Sequence, residues 1–142
     1  MRDQANNIHP VPAMPPKAAV TDNTAFVSAI IDRRGYDALT FLIITGTNAD
    51  ADATYTVLVE DGDASDLVAD GAAVSDDQLV GTEALAAFTF ADDGECRKIG
   101  YIGDKRYVRL TITPANNTGN AFVAAIALLG MPSLRPTANP PS

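Results

Sequence analysis

Few residues in this chain are able to do chemistry. The only histidine, His9, lies in a stretch that also holds Pro10, Pro12, Pro15 and Pro16. Acid–base catalysis needs a titrating group held where it can reach the reacting proton, and a proline-rich segment gives no rigid platform for one. The single cysteine, Cys96, is followed by Arg97 and Lys98. Adjacent positive charge favours a thiolate, but a nucleophile also needs a base within reach, and no second histidine exists. Cys96 therefore reads as a small residue at the start of a strand. Asn48, Asp50 and Asp52 alternate, as do Asp61, Asp63 and Ser65. A calcium loop of the EF-hand kind wants Gly at its sixth position and Glu at its twelfth. The first candidate has Ala53 and Val59 there, and the second has Asp66 and Ala72. Neither fits, which leaves only a loose calcium site open.

Paired carboxylates are available in number, but sugar-handling sites generally rest on aromatic platforms. The chain has no Trp and four Tyr: Tyr36, Tyr55, Tyr101 and Tyr107. A histidine-built metal centre is excluded by composition, and no glycine-rich phosphate loop follows a strand. The expectation is a protein that is not an enzyme, with no catalytic residue, no cofactor and no metal.

Charge is more informative. The formal net charge is −8, which argues against nucleic acid as a partner, since phosphate binding needs clustered Lys and Arg. No basic residue falls between Gly35 and Cys96, a stretch with 14 acids. Arg97, Lys98, Lys105, Arg106 and Arg109 then follow with Asp104 alone among them. Such segregation makes a polar molecule. Either both regions are solvated surface, or subunits dock acid to base.

The elements that must carry these residues are strands. With 142 residues, the chain is long enough for one domain with a buried core. Eight of the nine prolines are terminal, and proline fixes φ and removes a donor. Residues 1–17 and 132–142 therefore read as extended N- and C-terminal arms, disordered tails or reaching contacts, flanking a domain at 18–131. Within it, Thr24–Ile31, Asp37–Thr45, Tyr55–Glu60, Leu67–Ala69, Gln78–Thr82, Ala87–Phe90 and Ala121–Leu129 read as strands. Cys96–Gly103 and Lys105–Thr113 read as a strand pair across Gly103-Asp104. The second of these alternates strictly, with Val108, Leu110 and Ile112 facing one way. Asp37–Thr45 and Ala121–Leu129 are apolar on both faces, so each has a face beyond the core to cover. Asp76–Ala87 has a weak helical pattern. The sum is an all-β, antiparallel β-sandwich of jelly-roll or immunoglobulin type. The longest apolar run, Ala121–Leu129, is far short of the ~20 residues that a membrane helix needs. The first residues lack the apolar run of a signal peptide. A soluble protein made in a reducing cytoplasm, with no membrane partner, is expected.

Arg97-Lys98-Ile99-Gly100-Tyr101-Ile102-Gly103-Asp104-Lys105-Arg106-Tyr107-Val108-Arg109-Leu110 resembles a signature of small proteins encoded beside the major capsid protein in tailed bacteriophages. Asp37-Ala38-Leu39-Thr40-Phe41, Glu60-Asp61-Gly62-Asp63, Val80-Gly81-Thr82 and Ala127–Pro132 are similar to further pieces of that family, so the likeness spans about Ala18 to Pro136. It implies a jelly-roll-like cement or decoration protein on the outer surface of an icosahedral head. Its partners would be a major capsid protein of the HK97-like fold and other copies of itself, as dimer or trimer. The implied contacts are Arg97, Lys98, Lys105, Arg106 and Arg109, with Pro10, Pro12, Pro15, Pro16, Pro132, Arg135 and Pro136 of the arms. The alternatives are another virion recognition module, on the tail or baseplate, and a glycan-binding β-sandwich.

Overall fold

A computed structural model describes residues 2–141. The strands in chain order are β1 (Ile8–Met14), β2 (Phe26–Val27), β3 (Ile31–Asp32), β4 (Tyr36–Asn48), β5 (Thr54–Gly62) and β6 (Ala72–Ala73). They continue with β7 (Leu79–Val80), β8 (Phe88–Thr89), β9 (Cys96–Tyr101), β10 (Tyr107–Ala115) and β11 (Ala121–Pro132). One helical turn, α1 (Glu83–Ala86), lies between β7 and β8 and is capped by Thr82, whose Oγ1 accepts from the Leu85 N–H at 3.1 Å.

The strands form two antiparallel sheets. One runs β1-β11-β4-β9-β7, and the other is built on β2-β10-β5-β6, with β3 also on β10 and β8 also on β5. From β4 onward the long strands alternate between sheets: the β-sandwich that the strand pattern predicts, in the jelly-roll-like form that the resemblance implies. Alternation puts one face of each strand inside. Phe41, Ile43, Ile99 and Leu129 from the first sheet meet Val59, Val108, Leu110 and Ile112 from the second, all essentially buried. Most core residues are aliphatic, but the largest fully buried side chains are the aromatic Tyr55, Tyr101, Phe26 and Phe41.

Four elements differ from the sequence reading. The proline-bearing N-terminal segment is extended, yet it is part of the sandwich: β1 pairs with β11, and Ala13 and Met14 enter the core. Pro10 and Pro12 share one parity, so His9 and Val11 keep their N–H groups for Leu129 and Ala127 opposite. Cys96–Gly103 and Lys105–Thr113 are not a pair: β9 lies between β4 and β7, and β10 lies in the other sheet between β2 and β5. The corner at Gly103-Asp104 is a crossover held by Arg33, whose Nε donates to the Lys105 carbonyl at 2.6 Å and Nη2 to the Gly103 carbonyl at 2.9 Å. Gly103 is buried against the Tyr101 ring, where a Cβ would collide. Thr24–Ile31 divides into two short strands, because at Ser28 and Ala29 the chain turns its bonding from Leu110 to Ala13 of β1. Leu67–Ala69 is a turn with Leu67 at φ 55°, and the neighbouring strand forms at Ala72–Ala73 instead.

The C-terminal segment folds back on its own chain. The Thr137 N–H donates to the Asn6 carbonyl at 3.1 Å, and its hydroxyl donates to the Ile8 carbonyl at 2.6 Å. Among the described residues, no helix is long and apolar enough to cross a membrane.

Candidate functional site

The basic cluster of the sequence is divided by the crossover. Arg97 and Lys98 lie on β9, while Lys105, Arg106 and Arg109 lie at the corner and on β10 of the opposite sheet. Four of the five are matched by carboxylates of the same chain. Arg109 sits directly across from Glu60 and donates to its Oε2 through Nη2 at 2.8 Å and Nε at 3.1 Å. Arg106 makes a two-pronged contact with Asp32 at 2.8 and 2.9 Å, and this contact holds the Asp32 carboxyl below its usual range. Lys105 donates to Asp63 at 2.8 Å, which lowers the Asp63 carboxyl in the same way. Arg97 bridges Glu95 and Asp92, the latter at 3.0 Å. The Asp92 carboxyl is lowered first by the Thr89 N–H and then by Arg97. The acidic run and the basic run thus meet inside one molecule.

Lys98 is the exception. It is exposed and forms no ion pair among the described residues. It lies opposite Leu42 on the outer face of the five-stranded sheet. Register places Ile44, Ala124, Ile126 and Val80 on that same face. Two adjoining grooves of about 620 and 390 Å³ run over it, and both reach Cys96. A smaller hollow beside them holds Phe122. Of the twelve exposed large apolar side chains among the described residues, eight line these depressions: Leu42, Ile44, Val80, Leu85, Ile102, Phe122, Ile126 and Met131. Soluble proteins leave such contiguous apolar faces where something binds. The candidate site is therefore an apolar docking surface, with Lys98 unpaired on it, the ion-paired Arg97 on the larger groove and Lys17 at the smaller hollow.

The proline-arm residues fall around this face and its ends. Pro12, Pro15 and Pro16 border the 390 Å³ groove, and Pro10 pairs with Leu128 in the edge ladder. Pro132 is buried at the end of β11, while Arg135 and Pro136 are exposed in the segment that follows. Sequence reasoning singled out Lys98 but grouped it with bases that turn out to be paired. It did not single out Leu42, Ile44 and Ile126 individually, although the two-faced apolar strands that carry them were visible.

Among the described residues, no three His, Cys, Asp or Glu side chains are placed to hold a metal ion. Tyr101 is buried beneath the larger groove, its hydroxyl donating to the buried Asp61 at 2.5 Å and accepting from the Lys105 N–H at 3.1 Å. Burial first, and Asp61 second, hold its phenol well above the ordinary range. It serves to close the corner.

No family model and no curated protein sequence matches the chain. Solved structures do. The PBSX exported protein XepA is 13% identical with a TM-score of 0.54 over 85% of this chain, which spans only 36% of that one. A chain in the capsid of Ralstonia phage GP4 is 10% identical with a TM-score of 0.51, covering 92% of this chain and 88% of its own length. The xylan-binding module CBM15 is 9% identical with a TM-score of 0.42, covering 93% and 95% of the two chains. At these identities the likeness to the first two is one of fold alone: an antiparallel, jelly-roll-like β-sandwich.

Proposed function

We propose that this chain is a non-enzymatic structural protein of a phage virion, bound to the outer surface of an icosahedral head, where it cements adjacent major capsid subunits. The observation that carries the reading is the uncovered apolar face of the five-stranded sheet. Burying such a face against a partner is the main source of association free energy, at roughly 25 cal/mol per Å² of apolar surface removed from water. Two further observations support it. The Arg97–Leu110 stretch resembles the small proteins encoded beside phage capsid genes, and a chain of similar length with this fold occurs in the GP4 capsid. The grooves carry no exposed Tyr or Trp, so the face suits a protein surface better than a sugar chain.

The test uses heads of the phage that encodes this protein, prepared without it. Purified protein is co-sedimented with them, and the loaded heads are then heated. Binding at a fixed ratio to the capsid protein, with release of packaged DNA moved to higher temperature, is the expected result. Protein that stays in the supernatant with heads, but is retained by tails or by a glycan array, would move the function to a recognition module.

A further inference from the structure

Resting on the capsid reading, we propose that the docking surface on the head is an apolar ridge bearing one carboxylate, and that this carboxylate pairs with Lys98. The other four bases of its sequence cluster each hold an acid of their own chain. Of that cluster Lys98 alone stands unpaired; Leu42 lies directly across from it on the same face, and Val80 lies across from Gly100, two residues along β9. A lone ammonium ringed by apolar side chains loses water when the face closes, and that loss is offset only if an opposite charge meets it. A partner lacking a carboxylate at that point would be rejected, so Lys98 sets register as well as strength. A second copy of this chain is a poorer occupant. Joined face to face about a two-fold axis near Leu42, the two molecules would set one Lys98 against the other.

Three proteins are compared for head binding: the natural chain, Ile126→Asp and Lys98→Met. Ile126 is 46% exposed, so its replacement leaves the fold intact while placing a charge in the apolar face. Lys98→Met keeps the length and apolar stem but leaves the partner's carboxylate unmatched. Ile126→Asp is expected to abolish binding. Lys98→Met is expected to weaken it by roughly 30-fold or more, as loss of one member of a buried charge pair does. In parallel, a zero-length carbodiimide activates carboxylates on loaded heads, and the Lys98 amine attacks to form an amide. Peptide mapping is expected to find Lys98 joined to an Asp or Glu of the capsid subunit. If Lys98→Met binds as tightly as the natural chain or more tightly while Ile126→Asp fails, the charge pairing is overturned and the apolar docking face stands. If the natural chain itself ignores heads, the capsid reading fails. If sedimentation velocity shows a dimer that Ile126→Asp dissociates, the face is closed by a second copy and the proposed partner is wrong.

Discussion

On the outside of the five-stranded sheet, β4 and β11 present Leu42, Ile44, Ala124 and Ile126. On the outside of the six-stranded sheet, β5 and β10 present Thr54, Thr56, Thr113 and the Glu60–Arg109 pair. Both pairs of strands bury their other face equally well, with Phe41 and Ile43 on one side and Leu110 and Ile112 on the other. Threonine suits an exposed pleat because its methyl packs along the strand while its hydroxyl meets water. Leu, Ile and Ala in that position gain nothing from water. The contrast leaves the first sheet with an uncovered apolar face and the second with a face suited to solvent.

Neighbouring residues of β4 give the sharpest test of which side is which. Phe41→Ala removes a fully buried ring and is expected to cost about 3–5 kcal/mol. Leu42→Ala, one residue on and pointing out, is expected to cost under about 1 kcal/mol in the free protein. Urea unfolding of the two variants reads both values. Equal losses would mean that the outer face is already covered within the chain.

A smaller effect is expected where the two sheets are joined. Tyr101→Phe strands the buried Asp61 carboxylate and removes the acceptor of the Lys105 N–H, a loss of about 1–3 kcal/mol by chemical denaturation. The phenol's raised folded value also gives a sign. Its contribution is complete below about pH 10, the unfolded value, and declines as pH rises past it. Melting temperatures from pH 8 to 11 should therefore fall more steeply for the natural chain than for Tyr101→Phe.

The ion-paired carboxylates should respond to acid. The Asp32 and Asp92 carboxyls are depressed by Arg106 and by the Thr89 N–H respectively. Their stabilisation is present above the unfolded value of about 4 and is lost as pH falls through the lower folded values. A melting-temperature series from pH 6 to 2 should show the decline beginning near pH 4. Asp32→Asn should flatten part of it.

The least effect is expected from the cross-strand pair. Arg109→Ala removes a half-exposed contact to Glu60 and should cost about 0.2–1 kcal/mol, shrinking with added salt. It should leave head binding unchanged. If Arg109→Ala weakened head binding as Ile126→Asp does, the assignment of one sticky and one solvated face would not survive.

Much of this contrast was legible in the chain itself. Leu39–Ile44 and Ala121–Leu129 are apolar on alternate and intervening positions alike, and a sandwich strand has only one face inside. Val108, Leu110 and Ile112 alternate with Arg109, Thr111 and Thr113 and declare a half-solvated strand. The fate of the bases was not legible. Arg109 finds Glu60 because register sets two residues 49 positions apart opposite each other, and local pattern carries no register. The same holds for β9 and β10, where a short turn between two strands suggests a hairpin until Arg33, from a distant segment, fixes the corner as a crossover. Strands of two residues, such as β2 and β7, are too short for any periodicity to show. Proline count marked residues 1–17 as an extended arm, but the strand that pairs with residues 8–14 lies at the far end of the chain.

The edge formed by β1 has one more consequence. Alternate residues of an outermost strand aim their N–H groups away from the sheet, and here Pro10 and Pro12 occupy that parity and supply none. The opposite border is β7, two residues long. An incoming strand finds no continuous row of donors on either side of this sheet, which disfavours extension of its ladder from molecule to molecule. A molecule with one greasy face thus offers little edge along which that sheet could be extended, and leaves the flat of the sheet as its broad apolar surface.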